Sequence, residues 1–474
     1  MPNVLAIDQG TSATKALVVG PDGRVLGASE APLTPTFLPD GGVEQDAEAL
    51  WQSIVSAGTA ALANAGTPVV AVGLANQGET VLAWDRGSGT PLSQAISWQD
   101  RRAASVCEAL AADADRLHEI TGLPLDPYFA APKMRWLREH VTRDGVVTTT
   151  DTWLLHRLTG AFVTDAATAS RTLLFDLGAG RWSPEACDAF DVHPDELPDV
   201  VGNAEPIGET SVFGSRVPVT AAIVDQQAAL FAEGCHAPGA AKCTFGTGAF
   251  LLTNIGTEPR RSTAGLATCV AWKLGDATTH CLDGQVYTAG AAVSWLRELG
   301  LIATPEDLDR AAPSADGVCF VPALAGLAAP FWKPQARGAF VGLSLSTSRP
   351  ALVRAVIDGI AAQVAWLARA VAYDLGGPLV RLRVDGGLTR SAVLMQTQAD
   401  LLQVPVEVFP SPDATALGVA ALARLGARLA GSPAEAVGRW TPSATFEPRI
   451  SADAADARLR AWRRAVEATM DLSL

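Results

Sequence analysis

Short apolar runs separated by turn residues open the chain. Residues 4–7 and 16–19 are apolar, and residues 8–12 (DQGTS) between them are turn-forming. A second turn at residues 21–23 leads into a further apolar run at residues 25–28. Runs this short, joined by turns this tight, predict neighbouring antiparallel strands.

The pattern then changes to a helical period. Asp46 is a candidate N-cap, apolar side chains recur at positions 50, 51, 54, 55 and 62, and Gly66 ends the series. The apolar residues 69–74 follow and predict a buried strand that ends in residues 76–80 (NQGET). The first half therefore combines an antiparallel start with strand–helix alternation.

The same arrangement recurs further along the chain. Apolar residues 217–224 end in DQQ (225–227), residues 242–245 lead into Gly-Thr-Gly (246–248), and residues 379–384 end in DGG (385–387). Residues 228–232 are predicted to begin a helix, and residues 392–402 have helical periodicity. We therefore predict two α/β domains, residues 1–232 and 240–474, each opening with a sheet.

Composition narrows the class of protein. Of 474 residues, 48% are hydrophobic and 18% charged, which excludes a disordered chain. The net charge of −14 makes nucleic acid or an anionic membrane a poor partner. Seven cysteines without a C-x-x-C motif predict reduced thiols and a cytoplasmic location. The N-terminus does not read as a signal peptide, and no uninterrupted apolar run approaches ~18 residues, so no membrane insertion is expected.

Two loops have the chemistry of phosphate binding. Thr11 and Ser12 add hydroxyl donors to a glycine-containing turn, and Thr247 stands between two glycines. Either loop alone is more typical of an ordinary turn. One such loop in each domain, both at strand junctions, predicts two jaws that close on one polyphosphate. The P-loop motif G-x-x-x-x-G-K-[ST] does not occur.

Three aspartates, Asp8, Asp225 and Asp385, each end an apolar strand. Ligands gather at the carboxyl ends of strands in α/β sheets. Phosphoryl transfer needs one carboxylate for Mg²⁺ and another that accepts or orients the hydroxyl proton. The alternative interpretation of each aspartate is a turn residue or helix cap.

The motifs together resemble those of the FGGY carbohydrate kinases, and most closely the glycerol kinases. The matching segments are residues 5–15 (LAIDQGTSATK), 76–80 (NQGET), 98–102 (WQDRR), 125–129 (LDPYF), 151–160 (DTWLLHRLTG), 225–231 (DQQAALF), 245–250 (FGTGAF), 338–358 and 383–391 (RVDGGLTRS). They occur in the family's order over nearly the whole chain. The resemblance implies an α/β, two-domain actin/hexokinase-like (ribonuclease H-like) duplicated fold with a cleft between the domains.

The resemblance also implies roles for individual residues, with ATP and Mg²⁺ as cofactors. The nucleotide would be bound by Thr11, Ser12, Thr14, Lys15, Thr247, Gly290, Ser294, Gly387 and Ser391. The polyol would be bound by Gly78, Glu79, Trp98, Asp100, Tyr128, Asp225, Gln226 and Phe250. Asp225 would be the catalytic base, and Asp8 would hold Mg²⁺.

Two positions depart from the glycerol kinase pattern. Gly78 stands where those kinases have an arginine before the glutamate, so we expect a wider and less cationic cleft. Asp100 stands where an uncharged residue is usual. It either binds an extra substrate hydroxyl or forms a salt bridge with Arg101, Arg102 or another basic group.

The leading hypothesis is an ATP- and Mg²⁺-dependent kinase that acts on a primary hydroxyl of a small polyol or sugar, as glycerol kinases do. The departure at Gly78 leaves open a longer polyol or ketopentose of the erythritol, xylulose or ribulose type. Rival classes are an actin- or chaperone-like ATPase and a sugar-binding regulator without catalysis. We expect a small-molecule substrate as partner and a homo-oligomer, either a dimer or a tetramer.

Overall fold

The structure is a computed structural model that describes residues 2–470. Its strands are β1 Asn3–Gln9, β2 Ala13–Val19, β3 Val25–Pro32, β4 Thr36–Phe37, β5 Val43–Gln45, β6 Val69–Asn76, β7 Val81–Trp84, β8 Ala95–Ile96, β9 Val146–Thr149, β10 Val163–Asp165, β11 Phe175–Asp176, β12 Arg181–Trp182, β13 Asp199–Val201, β14 Gly208–Thr210, β15 Val217–Val224, β16 Ala241–Phe245, β17 Ala249–Gly256, β18 Ala267–Leu274, β19 Ala277–Val286, β20 Cys319–Val321, β21 Ala339–Val341, β22 Leu382–Asp385, β23 Val406–Val408 and β24 Ala444–Phe446. Its α-helices are α1 Ala47–Ala65, α2 Ala104–Ala109, α3 Ala114–Thr121, α4 Ala130–His140, α5 Thr150–Thr159, α6 Ala166–Ala169, α7 Pro184–Ala189, α8 Asp225–Ala232, α9 Gly290–Glu298, α10 Arg349–Leu375, α11 Ala392–Leu402, α12 Ala414–Gly426, α13 Pro433–Val437 and α14 Ala452–Met470.

Two large sheets share one pattern of strand pairing. The first has the order β14-β15-β6-β1-β2-β3 and the second β18-β19-β17-β16-β22-β23-β24. In each, a central strand (β1 or β16) pairs antiparallel with the next strand (β2 or β17) and parallel with a later one (β6 or β22). That later strand pairs parallel with a further strand, β15 or β23. This repeat is the duplicated fold that the sequence predicts.

Strand β1 is apolar throughout because both of its faces are covered. Leu5 and Ile7 pack in the cluster that contains Leu50 and Ile54 of α1. Val4 and Ala6 alternate with them and pack in the cluster that contains α12. Because side chains alternate between the faces of a strand, burial of both faces requires an unbroken apolar run.

Helix α1 begins and ends where the sequence predicts. The Asp46 side chain accepts a hydrogen bond from the Ala49 amide at 2.8 Å, and Gly66 adopts φ 59° at the C-terminus. An aspartate N-cap and a left-handed glycine just past the last turn satisfy end groups that the helix leaves unpaired.

Two boundaries differ from the prediction. Helix α8 begins at Asp225 rather than at Ala228, so Asp225 directly follows strand β15, as predicted, and already lies in the first helical turn. The strand expected from residue 379 begins at Leu382, where pairing with β16 and β23 starts. A strand's bounds depend on its partners, and apolar residues just outside the pairing remain in the connecting loop.

Helix α12 belongs to the second half of the chain but packs on the first sheet. Its Val419 and Ala423 lie in one hydrophobic cluster with Val4 and Ala71. Its N-terminal flank adds an ion pair to the first half, because Lys15 Nζ lies 3.1 Å from Asp413 Oδ1. The predicted domain bounds at residues 232 and 240 therefore divide the sequence, but they do not separate the packing, because α12 of the second half packs on the first sheet.

Helix α10 is the one described helix that is long and apolar enough to cross a membrane. Of its most apolar window, 78% is buried inside the protein. Its Val356, Ile360 and Leu367 pack in the main hydrophobic core of the second half. The helix is apolar because it lies at the centre of that core.

Candidate active site

The parallel strands β1, β6 and β15 end at one edge of the first sheet, facing the loop between β16 and β17. Between them lies a cavity of about 160 Å³. It is lined by Thr11, Ser12, Gln77, Gly78, Glu79, Trp98, Tyr128, Arg171, Val224, Asp225, Gln226, Thr244, Gly246, Thr247, Gly248 and Phe250. Ten predicted site residues are in that set. The structure therefore brings most of the expected polyol site into one cavity, together with Thr11 and Ser12 of the first phosphate loop and Thr247 of the second.

Asp225 faces this cavity from the first turn of α8. Burial raises the pKa of its carboxyl to about 6, although the positive charge of Lys242 opposes the shift. The neighbouring Gln226 is held from behind, because Lys242 Nζ donates to its Oε1 at 2.6 Å. A buried carboxylate with a pKa near neutrality is suited to accept a proton during catalysis.

Aromatic rings form one wall of the cavity. The ring of Trp98 meets those of Tyr128 and Phe250 edge-on, each with centroids 5.9 Å apart. The Trp98 Nε1–H donates to Thr11 Oγ1 at 2.9 Å, which fixes the indole plane. Such a wall covers the carbon skeleton of a small substrate while leaving its hydroxyls to polar groups.

Glu79 enters the cavity from a loop with unusual backbone geometry. Its φ is 58°, a left-handed conformation that non-glycine residues seldom adopt. Its carboxylate pairs with Arg171 Nε. Burial raises the pKa of Glu79 to about 6, and the guanidinium of Arg171 opposes the shift. The backbone and the ion pair together hold this acceptor in place.

Lys133 supports the Tyr128 loop from behind. Its Nζ donates to the carbonyls of Pro127, Tyr128 and Phe129 at 2.8, 2.6 and 2.6 Å. The side chain is fully buried. Three converging carbonyls match the three donors of an ammonium group, so Lys133 is a positioning residue for Tyr128.

The first predicted phosphate loop divides into two parts. Thr11 and Ser12 line the cavity, although the Thr11 hydroxyl is engaged by Gln77 Oε1 at 2.9 Å as well as by Trp98. Thr14 is buried and its hydroxyl lies 2.6 Å from that of Ser53, away from the cavity. Lys15 pairs with Asp413.

The second loop is fixed by the helix that follows it. The amides of Ala289 and Ala291 both donate to the Thr247 carbonyl at 3.0 Å, and that of Gly290 donates to Gly246. A Cβ at Gly290 would lie 2.5 Å from the Gly246 carbonyl oxygen, so only glycine permits this contact. The Thr247 side chain is exposed at the tip of the loop.

The remaining predicted nucleotide residues lie outside this cavity. Ser294 is exposed on α9, and Gly387 is exposed at the start of a 3-10 turn. Ser391 is buried as the N-cap of α11, and its hydroxyl donates to Asp309 at 2.7 Å. Their contact with a nucleotide stays a prediction.

Asp100 is occupied by protein groups. One oxygen accepts from the Val43 amide at 2.8 Å, and the carboxylate forms a two-pronged ion pair with Arg102. The side chain is 1% exposed and is not among the cavity-lining residues. Of the two interpretations from the sequence, the structure supports the salt bridge.

Asp8, the predicted Mg²⁺ residue, lies among other carboxylates. Burial raises its pKa to about 7, and Asp225, Asp413 and Asp385 add repulsion that a cation would relieve. Across residues 2–470, however, no three His, Cys, Asp or Glu side chains form a group that could hold a metal.

Sequence reasoning missed Arg171, Gln77 and Lys242. Arg171 lies 92 positions from Glu79 and 112 from Asp283, yet it contacts both. The available signal was a charge within the otherwise uncharged residues 166–175 (AATASRTLLF). A charged side chain in a buried segment requires partners and is therefore a candidate for function.

Comparisons with known proteins agree with this geometry. Models of the N-terminal and C-terminal domains of the FGGY family of carbohydrate kinases match residues 3–232 and 241–427. Glycerol kinases of Alkalilimnicola ehrlichii and Myxococcus xanthus are 42% and 44% identical, each over 98% of both chains. The crystal structure of Plasmodium falciparum glycerol kinase with ADP is 31% identical and superposes with a TM-score of 0.90 over 99% of this chain and 98% of that one. The chain therefore belongs to the FGGY family of carbohydrate kinases.

Proposed function

We propose that this carbohydrate kinase transfers the γ-phosphoryl group of ATP to a primary hydroxyl of glycerol. The observation that carries the proposal is one cavity that joins Asp225, the aromatic wall and the tips of both glycine–threonine loops. The full-length similarity to glycerol kinases supports glycerol as the substrate.

The polyol side of the cavity orients the substrate. Trp98 and Phe250 cover the carbon chain, while Glu79, Tyr128 and Gln226 offer polar atoms to hydroxyls. Because phosphoryl transfer is accelerated mainly by positioning and electrostatics, a fixed substrate orientation accounts for much of the catalysis. Asp225 accepts the proton of the attacking hydroxyl.

The two glycine–threonine loops contribute Thr11, Ser12, Gly246, Thr247 and Gly248 to the cavity lining. Thr247 and Ser12 are both exposed and both line the cavity. We propose that these loops bind the phosphates and that Asp8 binds Mg²⁺, whose charge would offset the carboxylates around it. Bound Mg²⁺ neutralises charge on the phosphates during transfer.

The longer-substrate alternative depended on Gly78 leaving a gap without positive charge. The structure places the Arg171 guanidinium in the same cavity, beside Gly78. Asp100, the other reason for that alternative, is bound to Arg102. These contacts and the relatives favour glycerol over erythritol, xylulose or ribulose.

The test is a coupled measurement of ADP release with glycerol and with C4–C6 polyols and ketoses. We expect the highest kcat/KM for glycerol, with glycerol phosphate as the product. A higher value for a ketopentose or tetritol would overturn the substrate assignment. ADP release without any phosphorylated organic product would instead support an ATPase.

Two further expectations stay proposals. The seven cysteines are free thiols, which supports a reducing, cytoplasmic environment. We also propose a homo-oligomer, which light scattering of the purified protein would test. A monomeric mass at micromolar concentration would contradict it.

A further inference from the structure

Gly78 lies beside the buried side chain of Arg171. A Cβ built at position 78 would lie 3.6 Å from Arg171 Nε and 3.8 Å from its Cδ. Any side chain at position 78 would therefore begin in van der Waals contact with Arg171. With glycine, this contact is absent, and both Gly78 and Arg171 line the cavity.

Arg171 is held rigidly by both halves of the chain. Its Nε donates to Glu79, and its Nη1 donates to Asp283 Oδ2 of β19 at 2.5 Å. Its Nη1 also lies 3.4 Å from Cys269 Sγ. The side chain is 2% exposed and Asp283 is fully buried, so the guanidinium has a fixed orientation.

One N–H group of the Arg171 guanidinium, on Nη2, has no acceptor among the described residues of the protein. Nε and Nη1 are directed at Glu79, Asp283 and Cys269, while Nη2 lies 3.3 Å from Tyr128 Oη. A guanidinium has five N–H donors, two of them on Nη2. One Nη2–H therefore remains for a substrate oxygen after Tyr128 is satisfied.

A cationic donor complements the two carboxylates of the cavity. Asp225 and Glu79, when ionised, only accept hydrogen bonds, whereas a substrate hydroxyl has lone pairs to satisfy as well. Among the described residues that line the cavity, Arg171 is the single cationic one. Charged donors give the stronger hydrogen bonds.

We propose that Arg171 binds a polyol hydroxyl through Nη2 and is the cationic donor of a cavity in which residue 78 is glycine. This rests on the proposed polyol kinase function and names a further binding residue within that site. The specificity for a small polyol then depends on the pair Gly78 and Arg171 rather than on either position alone.

The test is a double-mutant cycle of Arg171→Lys and Gly78→Arg. Lysine keeps a positive charge between Glu79 and Asp283 but lacks Nη2. In the Gly78 background we expect the polyol KM to rise about 10- to 100-fold with kcat changed less than about threefold. In the Gly78→Arg background the new side chain would contact the substrate, so the same lysine substitution should raise KM less than about threefold.

A purely structural role of Arg171 predicts another pattern. The lysine substitution would then raise KM equally in both backgrounds, or lower kcat without a change in KM, and either result would overturn the proposal. ADP affinity and Tm are measured for all four proteins, since a binding role leaves the nucleotide affinity unchanged.

A second pair of variants covers the case in which Arg171→Lys does not fold. Val224 Cγ2 lies 2.8 Å from the position of a Cβ at residue 78, so Gly78→Ala is combined with Val224→Ala to make room. Arg171 and both ion pairs are kept, but a methyl covers the guanidinium face. We expect the polyol KM to be at least about threefold above that of Val224→Ala alone. An equal KM would contradict the proposal.

The cycle is run with whichever polyol the unmodified protein phosphorylates fastest. If that polyol is not glycerol, the substrate assignment fails while the test of Arg171 proceeds unchanged. Failure of the two proposals is therefore distinguishable.

Discussion

At the scale of single residues, the site combines acceptors with raised pKa values and donors that are fixed by the protein. Asp225 and Glu79 are both buried, and burial raises the pKa of each to about 6. Lys242 and Arg171 limit these shifts. The chemistry therefore depends on the balance between desolvation and a few buried cations.

Asp225→Asn tests the proton acceptor. We expect kcat to fall about 10²- to 10⁴-fold, while ADP and polyol affinities stay within about threefold, because asparagine keeps the shape but cannot accept the proton. A variant that retains more than roughly a third of the original kcat would remove Asp225 from this role.

The pH dependence of the unmodified protein follows from the same carboxyl. The base acts only when deprotonated, and its pKa in the free protein is about 6. The kcat/KM for the polyol should therefore rise with pH, with a midpoint at about 6, and level off at higher pH. A profile that is flat between pH 5 and 8 in the absence of saturating nucleotide would contradict this assignment.

Thr247→Val tests the second phosphate loop. Valine keeps the volume but removes an exposed hydroxyl at the loop tip, so kcat/KM for ATP should fall roughly 10- to 150-fold with little change in polyol KM. Thr445→Val, at an exposed threonine of β24, is the matched control. If only the polyol KM changed, the loop would not be a phosphate site.

At the scale of elements, short connections between strands and helices place the functional groups. The N-terminal turn of α9 fixes Gly246 and Thr247 through three backbone hydrogen bonds to their carbonyls. Lys133 of α4 gathers the carbonyls of residues 127–129 and so determines where Tyr128 lies. Elements outside the cavity thereby control the geometry inside it.

Lys133→Met tests this control. Methionine has similar length but leaves three buried carbonyls without donors, so the free energy of unfolding should fall by about 2–4 kcal/mol. The polyol KM should rise because Tyr128 loses its support, whereas the KM for ATP should not change. Lys333→Met, at an exposed lysine, is the control. An unchanged polyol KM in a folded Lys133 variant would show that residues 127–129 keep their conformation without Lys133.

At the scale of the whole molecule, the two halves are joined by contacts that cross between them. Helix α12 packs on the first sheet, and Lys15 pairs with Asp413. Helices α8 and α12 approach closely at Gly418, where a Cβ would lie 1.9 Å from the Ala228 carbonyl oxygen. Because α8 begins with Asp225, this crossing also supports the carboxylate that we propose as the proton acceptor.

Gly418→Ala tests the crossing. The added methyl meets backbone rather than a flexible side chain, so the helices must separate, at a cost of about 1–3 kcal/mol or more. We expect a lower Tm together with reduced kcat. Gly377→Ala is the control, because a Cβ there has open space around it. Equal Tm values for the two variants would contradict a close crossing.

The sequence by itself determined the family, the strand–loop motifs and most of the cavity. Turn residues, helix caps and strand ends act over a few positions, so Asp46, Gly66 and the two glycine–threonine loops could be placed from local pattern. Asp225 and the aromatic wall were found because each lies in a contiguous motif.

Only the tertiary structure decided which residues far apart in the sequence contact one another at the site. In the folded protein, the Thr14 side chain is buried beside Ser53, and Asp100 pairs with Arg102. Arg171 lies between Glu79 and Asp283 and pairs with both. The tertiary structure also placed α12 on the sheet of the other half. The physical reason is that these contacts depend on which apolar faces pack together and on where buried charges find partners. Neither is encoded in the spacing of residues along the chain.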